Sequence, residues 1–164
     1  MQKHWVVGPV EDAAQGIAKE FNLHPTIAQV ILRRGVKDPA EIFHFLNPSL
    51  SSLEDPMKYP GMQKAVGRIR SAIQSKEKIL VYGDYDVDGV TGSAILYPIL
   101  KKLGAEVDAF IPHRINEGYG LNQESLEKLL KKKYTLVITV DNGITGNQQV
   151  RFLQERKVDV IIVD

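Results

Sequence analysis

Apolar positions recur along this chain at two different periods, and the change falls near residue 60. Before it the spacing is helical throughout. Ala13, Ile17, Ala18 and Phe21 mark one short helix, which Asn22 and Pro25 end. Ile27, Val30 and Ile31 begin a second, stopped by Gly35. Asp38-Pro39 supplies an N-cap and a proline at the first helical position, opening a third helix with Ile42, Phe43, Phe45 and Leu46 that stops at Asn47-Pro48. A loop rich in Ser, Pro and Asp follows, from Ser49 to Pro60. Beyond it Met62, Ala65, Val66, Ile69 and Ile73 make an amphipathic helix, and then strands and helices alternate. The strands predicted are Ile79–Tyr82, Val107–Ile111, Leu136–Val140 and Val158–Val163, and the helices Thr91–Leu103, Gln123–Lys132 and Thr145–Glu155. β-Branched strands alternating with helices indicate an α/β fold, a parallel sheet with helices on both faces. The chain thus divides into a small helical segment, 1–57, and a partial α/β domain, 58–164. The first is too small for an independent core and reads as a structural cap packed on the second.

Carboxylates decorate that framework at particular places. Asp84, Asp86 and Asp88 follow the first strand at every second position, Asp141-Asn142-Gly143 follows the third, and Asp164 ends the fourth. Ligands of open α/β sheets bind outside the carboxyl ends of the strands, at a topological switch point. The strand order 2-1-3-4 would bring all these acids together there. If the segment after the first strand stays extended, Asp84, Asp86 and Asp88 share one face. Three such carboxylates cannot all stay ionised without cations, and their hard oxygens suit Mg2+ or Mn2+. The simpler role for Asp141 or Asp164 alone is to cap the next helix; Thr91 likewise reads as a cap.

Composition adds mainly exclusions. At 43% hydrophobic and 25% charged the chain is globular, and a formal net charge of +1 gives no global field for nucleic acid. The absence of cysteine excludes disulfides, zinc-thiolate sites and thiol nucleophiles. The start, Met1 to Gly8, is too short and polar for a signal peptide, and no apolar run reaches membrane-spanning length. Cytoplasmic residence is the expectation. Lys101-Lys102 and Lys131-Lys132-Lys133 fall where helices end, where cations favour the helix dipole. Arg33-Arg34 reads the same way, and His4, His24 and His44 show no ligand spacing.

Three metal or phosphate patterns fit only in part. An EF-hand loop requires glutamate where Ile95 stands, and a P-loop requires Lys-Ser/Thr where Val90-Thr91 stand. A haloacid-dehalogenase-like phosphatase would use Asp84 as nucleophile and Asp86 as its partner, although Gly83 interrupts the strand just before them.

A fourth pattern fits over most of the length. Val81-Tyr82-Gly83-Asp84-Tyr85-Asp86-Val87-Asp88-Gly89-Val90-Thr91-Gly92 closely resembles motif I of the DHH phosphoesterase family, in its RecJ branch. Val140-Asp141-Asn142-Gly143-Ile144 resembles motif II. Ile111-Pro112-His113-Arg114 with Glu117-Gly118-Tyr119-Gly120-Leu121 resembles a further segment of that branch, as do Leu32-Arg33-Arg34-Gly35 and Phe45-Leu46-Asn47-Pro48. The resemblance runs from Trp5 to Asp164. It implies a Mn2+- or Mg2+-dependent 5′→3′ exonuclease, a hydrolase of single-stranded DNA in repair and recombination. Single-stranded-DNA-binding protein and repair helicases are its implied partners. A catalytically silent relative serving as a replication scaffold is the alternative, and intact acids argue against it.

The resemblance assigns Asp86, Asp88 and Asp141 as metal ligands, with Asp141 bridging two ions, and Asp84 and Asp164 as supporting acids of the catalytic site. Tyr82 stands where some family members have a histidine ligand, and the Asp-His-His that names the family would begin at Asp164. The chain therefore reads as the N-terminal part of a longer protein, inactive on its own. Arg114, just after the second strand, is expected to grip the terminal 5′-phosphate through two parallel hydrogen bonds, or else to pair with Glu117. Tyr119 is expected to stack on a base or to anchor a flexible Gly-Tyr-Gly turn.

Overall fold

The structure, a computed structural model, describes His4, Gly8, Pro9 and residues 11–164. Trp5, where the resemblance begins, and most of the Met1–Gly8 start lie outside the described residues. The described residues up to Pro56 form one compact unit, and Met57–Asp164 form a second.

The first unit contains α1 (Asp12–Glu20), α2 (Pro25–Arg33) and α3 (Pro39–Leu46). Ala14, Ala18 and Ala28 are buried together, with Ile17 and Leu32 against them, and Ile31 and Ile42 are buried as well. Ala14 rather than Ala13 faces inward, and Ile27, Val30, Phe43 and Phe45 are about half exposed, against the apolar faces expected from spacing. Methyl-sized contacts let two helices approach closely, so the larger residues do not define that interface. The backbone N–H of Glu11 donates to Gln29 Oε1 at 2.6 Å, and Gln29 Nε2 returns a bond to Glu11 Oε1 at 3.0 Å. Asp38 caps α3 as its sequence demands, accepting from the N–H groups of Ala40 and Glu41.

In the second unit α4 (Met62–Gln74) leads into β1 (Lys78–Gly83), α5 (Val87–Lys102), β2 (Glu106–Phe110), α6 (Gln123–Leu130), β3 (Leu136–Val140), α7 (Asn147–Glu155) and β4 (Asp159–Ile161). The four strands pair in parallel in the order β2-β1-β3-β4. Alternation along β1 and β3 then sorts the core into two layers. Ile79, Val81, Leu136, Ile138 and Val140 pack on one face with Ala72 and Ile69 of α4 and Leu96 and Leu100 of α5. Leu80, Tyr82 and Val137 pack on the other with Leu126 of α6 and Leu153 of α7. Each fully buried aliphatic in these layers contributes about 1.5–3 kcal/mol. The lysine runs do lie at helix ends: Lys101 and Lys102 occupy the last turn of α5, and Lys131 follows α6. Among the described residues no helix is long and apolar enough to cross a membrane.

Polar contacts at the amino edge of the sheet clamp three of its strands. Arg68 on α4 donates to Glu77 and to Asp159, each at 2.6 Å, and the Thr135 hydroxyl donates to the same Glu77 carboxylate. The Arg68 hydrogen bond first, then that of Thr135, holds Glu77 below the ordinary glutamate value of 4.5. A depressed folded-state value means that this contribution is complete above pH 4.5 and is lost as the pH falls through the folded value. Arg68→Ala should therefore lower unfolding free energy at neutral pH by roughly 1–3 kcal/mol, and urea titrations should show the gap to wild type narrowing below pH 4.5. A gap that is constant down to the acid transition would detach Arg68 from Glu77.

Candidate metal centre

Gly83 pairs with Val140 at the carboxyl ends of β1 and β3. The next residue of each strand is an aspartate, so Asp84 and Asp141 leave the sheet side by side. The ladder runs one step further, since the Asp84 N–H donates to Val140 O at 3.0 Å and the Asp141 N–H to Val163 O at 2.8 Å. Asp141 adopts a left-handed backbone at φ 60°, which turns the chain sharply at the strand end. Asn142, fully buried, donates to the carbonyls of Tyr82 (3.2 Å) and Val140 (2.9 Å) and so ties the two strand ends together.

The extended acid-x-acid-x-acid segment expected after β1 does not form. Asp86 instead becomes the N-cap of α5, its Oδ1 accepting from Asp88 N–H at 3.1 Å and Gly89 N–H at 3.2 Å. A helix start satisfies donors that an extended strand would leave free, and it swings Asp88 into the first helical turn. Thr91 is not a cap: it lies inside α5 and its hydroxyl donates back to Val87 O at 2.6 Å. Gly89 makes the tight junction possible, because a Cβ there would lie 2.5 Å from the backbone N and O of Asp84. A side chain at Gly83 would meet Ser93 Oγ at 2.2 Å and Ile111 Cδ1 at 2.5 Å.

Asp84, Asp86 and Asp141 converge. One carboxylate oxygen from each lies within 4.8 Å of the others. Asp84 is 1% exposed, and neither of its oxygens has a hydrogen-bond partner. A buried carboxylate without donors is costly, and a divalent cation shared with two further hard oxygen ligands would satisfy it. The donor set thus fits Mg2+ or Mn2+. Asp88 is exposed and lies outside this trio, yet its charge acts on Asp141. Partial withdrawal from water, followed by the charge of Asp86, a hydrogen bond with Asp86, and the charges of Asp88 and Asp84, raises the Asp141 carboxyl above its ordinary value. Asp141 does not cap the next helix. Gly146 holds the N-cap position of α7 without a side-chain bond, and Asp164 Oδ2 accepts from Ile144 N–H at 2.8 Å, fixing the loop after β3.

Arg114 and Tyr119 occupy the loop between β2 and α6. The Arg114 guanidinium lies 5.3 Å over the ring of Tyr85, the residue between Asp84 and Asp86. It does not need Glu117, whose Oε2 accepts from His113 N–H at 2.6 Å and whose Oε1 accepts from the Ser125 hydroxyl. Those bonds, Ser125 first, hold Glu117 below its ordinary value. Tyr119 is 61% exposed, so it does not anchor the turn. Its phenol is pushed up by its own desolvation and then by the charges of Asp164, Asp84, Asp141 and Asp86. The anchor is Tyr82, which the resemblance sets at a ligand position. Its buried hydroxyl donates to Gly120 O at 3.3 Å and accepts from Asn122 N–H at 3.2 Å. The structural parts of Tyr82, Tyr85, Glu117 and Asn142 in the site carry almost no sequence signal. Only the aromatic at the end of an apolar strand run hints at one of them.

The profile of the DHH family, N-terminal domain, matches residues 78–164. A single-stranded-DNA-specific exonuclease RecJ of Bacillus subtilis (strain 168) is 36% identical over 156 residues, 95% of this chain and 20% of that protein. A crystal structure of exonuclease RecJ bound to manganese is 44% identical, with a TM-score of 0.60 over 63% of this chain and 27% of that one. A structure of RecJ in complex with Mn2+ from Thermus thermophilus is 32% identical, with a TM-score of 0.58 over 93% of this chain and 20% of that one. The chain spans about a fifth of the length of the curated relative.

The electrostatics yield a sign that can be checked without metal. A raised folded-state value for Asp141 means that stability falls as the pH rises from the ordinary 3.8 through the folded value, and stays lower beyond it. Asparagine tolerates the left-handed backbone of position 141 and removes the charge. Asp141→Asn should melt higher than wild type in EDTA at pH 7, with the advantage vanishing in acid. A variant that melts lower at pH 7 would show that the acids do not repel one another.

Proposed function

Because the chain belongs to the DHH family, we propose that it forms part of a metal-dependent 5′→3′ exonuclease that hydrolyses single-stranded DNA in repair and recombination. The observation that carries this reading is the convergence of Asp84, Asp86 and Asp141 around a buried carboxylate that lacks donors. In it, residues 1–57 are a helical N-terminal segment and 58–164 part of a catalytic domain completed elsewhere in a longer protein. The protein acts in the cytoplasm, alongside a single-stranded-DNA-binding protein and repair helicases.

Asp84, Asp86 and Asp141 supply the oxygen ligands of a Mn2+ or Mg2+ site, and Asp88 adds a carboxylate from the first turn of α5. The Oδ1 of Asp86 is engaged with the helix start, which leaves its other oxygen to face a cation. Asp164 supports the site by holding the loop that follows Asp141. When bound, divalent ions supply Lewis acidity and an activated water for phosphodiester hydrolysis. The carboxylates are ligands rather than nucleophiles: Asp84, the nucleophile of a dehalogenase-like reading, is too buried to reach a substrate phosphate. Arg114 grips the terminal 5′-phosphate, and exposed Tyr119 offers a ring for a base to stack on.

Two measurements test this reading. Mn2+ should bind the 164-residue chain weakly in titration calorimetry and bind Asp141→Ala more weakly still, while neither releases nucleotides from single-stranded DNA. Equal heats would remove Asp141 from the site, and metal-dependent cleavage abolished by Asp86→Ala would show the chain to be complete without further ligands. In the full-length protein, Arg114→Ala should lower the preference for 5′-phosphorylated over 5′-hydroxyl ends by roughly 1.5–3 kcal/mol, the range of a charge-assisted contact. If the mutant slows equally on both ends, Arg114 does not read the terminus.

A further inference from the structure

The β2–α6 loop carries two glycines at positive φ, Gly118 (73°) and Gly120 (79°), and by sequence its Gly-Tyr-Gly reads as a flexible turn. Its bonding shows something else. The Glu117 side chain reaches back to His113 N–H at 2.6 Å and across to the Ser125 hydroxyl, while its own N–H donates to His113 O at 2.9 Å. Its carbonyl accepts from Asn122 Nδ2 at 3.0 Å, and Asn122 in turn caps α6 through Ser125 N–H at 3.0 Å. One residue thus closes the loop on itself and fastens it to the next helix. A second fastening comes from beneath, where the fully buried Tyr82 of β1 holds Gly120 O and Asn122 N–H. Between these fastenings stand Arg114, over Tyr85, and Tyr119, both of them exposed.

We propose that Glu117 and Tyr82 are positioning residues that preform the 113–122 loop as a rigid clasp, holding Arg114 and Tyr119 at the mouth of the acidic site before DNA arrives. The inference rests on the nuclease reading above and deepens it: the 5′ end of the strand meets a ready-made seat rather than a closing lid. Neither residue touches substrate. Both Glu117 oxygens are occupied, one by the His113 N–H and one by the Ser125 hydroxyl of α6, which leaves it no ligand role, and the Tyr82 ring lies in the core with Leu80, Leu126 and Val137. Preordering the loop removes an entropic cost from binding, so its loss raises KM and leaves the chemical step alone.

The test uses the full-length protein and a 5′-phosphorylated single-stranded deoxythymidine oligonucleotide. Glu117→Ala and Tyr82→Phe should each raise KM roughly tenfold, the scale of one lost polar contact, with kcat within about twofold of wild type. Glu117→Gln, which keeps one acceptor oxygen, should recover part of the loss. Either change combined with the Arg114→Ala, Tyr119→Ala pair should cost little more than that pair alone, since the clasp acts through those two side chains. Hydrogen exchange should quicken at the amides of 113–122 while those of β1 and β3 stay protected. Additive effects with the Arg114→Ala, Tyr119→Ala pair, a fall in kcat at constant KM, or unchanged exchange in the loop would overturn the inference. Wild type that binds the oligonucleotide with variants indistinguishable from it removes the clasp alone. Wild type that neither binds nor cleaves it removes the nuclease reading and the clasp with it.

Discussion

The parallel pairing of β1 with β3 is the contact on which the candidate site depends. Strands joined in register end at the same level, and the register that sets Gly83 against Val140 makes Asp84 and Asp141 neighbours. A slip of one residue would turn every buried side chain of either strand to the other face. Leu80 and Tyr82 would then exchange layers with Ile79 and Val81, so the two cores and the acid pair are specified together. Asn142 locks that register at its open end, with one amide bonded to a carbonyl of each strand.

Bringing carboxylates together opposes folding, and the fold offsets this locally. Asp86 gives one oxygen to the first turn of α5, where two N–H groups and the helix dipole favour negative charge. Asp164 accepts from a loop amide. Asp84 receives no such help and sits buried under the first turn of α5, at a distance that only glycine at position 89 allows. Withdrawal from water first, and then the residual repulsion of the neighbouring acids, raises the Asp141 carboxyl. A divalent cation would complete what hydrogen bonds leave undone.

Stability and chemistry occupy opposite edges of the sheet. At the amino edge Arg68, Glu77, Thr135 and Asp159 pair opposite charges and cross-link α4, the approaches to β1 and β3, and β4. Close by, Tyr134 donates to Asp108, which Lys78 and Lys132 flank at 3.6 and 3.8 Å. At the carboxyl edge like charges face one another and a loop spans the mouth. Tyr82 ties that loop to the core, with its ring packed beside Leu126 and its hydroxyl on Gly120 O and Asn122 N–H.

Much of this was legible in the sequence. The strand-helix alternation identified a parallel sheet, and the requirement that separated acids meet at one switch point selected the order 2-1-3-4. The cysteine-free, aspartate-rich motifs pointed to hard divalent cations. Local periodicity misled where two local rules competed. Asp84-x-Asp86-x-Asp88 reads as an extended face, yet Asp86 is also a strong N-cap, and the free N–H groups of Asp88 and Gly89 decided for the helix. In the first unit Ala18, Ile31 and Ile42 are buried as spacing favoured, whereas Ile27 and Val30 stay half exposed and close helix approach selected Ala14 and Ala28 instead. Glu117 and Tyr82 were illegible for a different reason. Their partners lie 8 and 40 residues away in the chain, and a hydrogen bond across such a separation leaves no periodicity. The sequence determined which groups exist and which strand each one follows; the tertiary structure alone decided which groups meet, because register and loop closure are properties of packed elements.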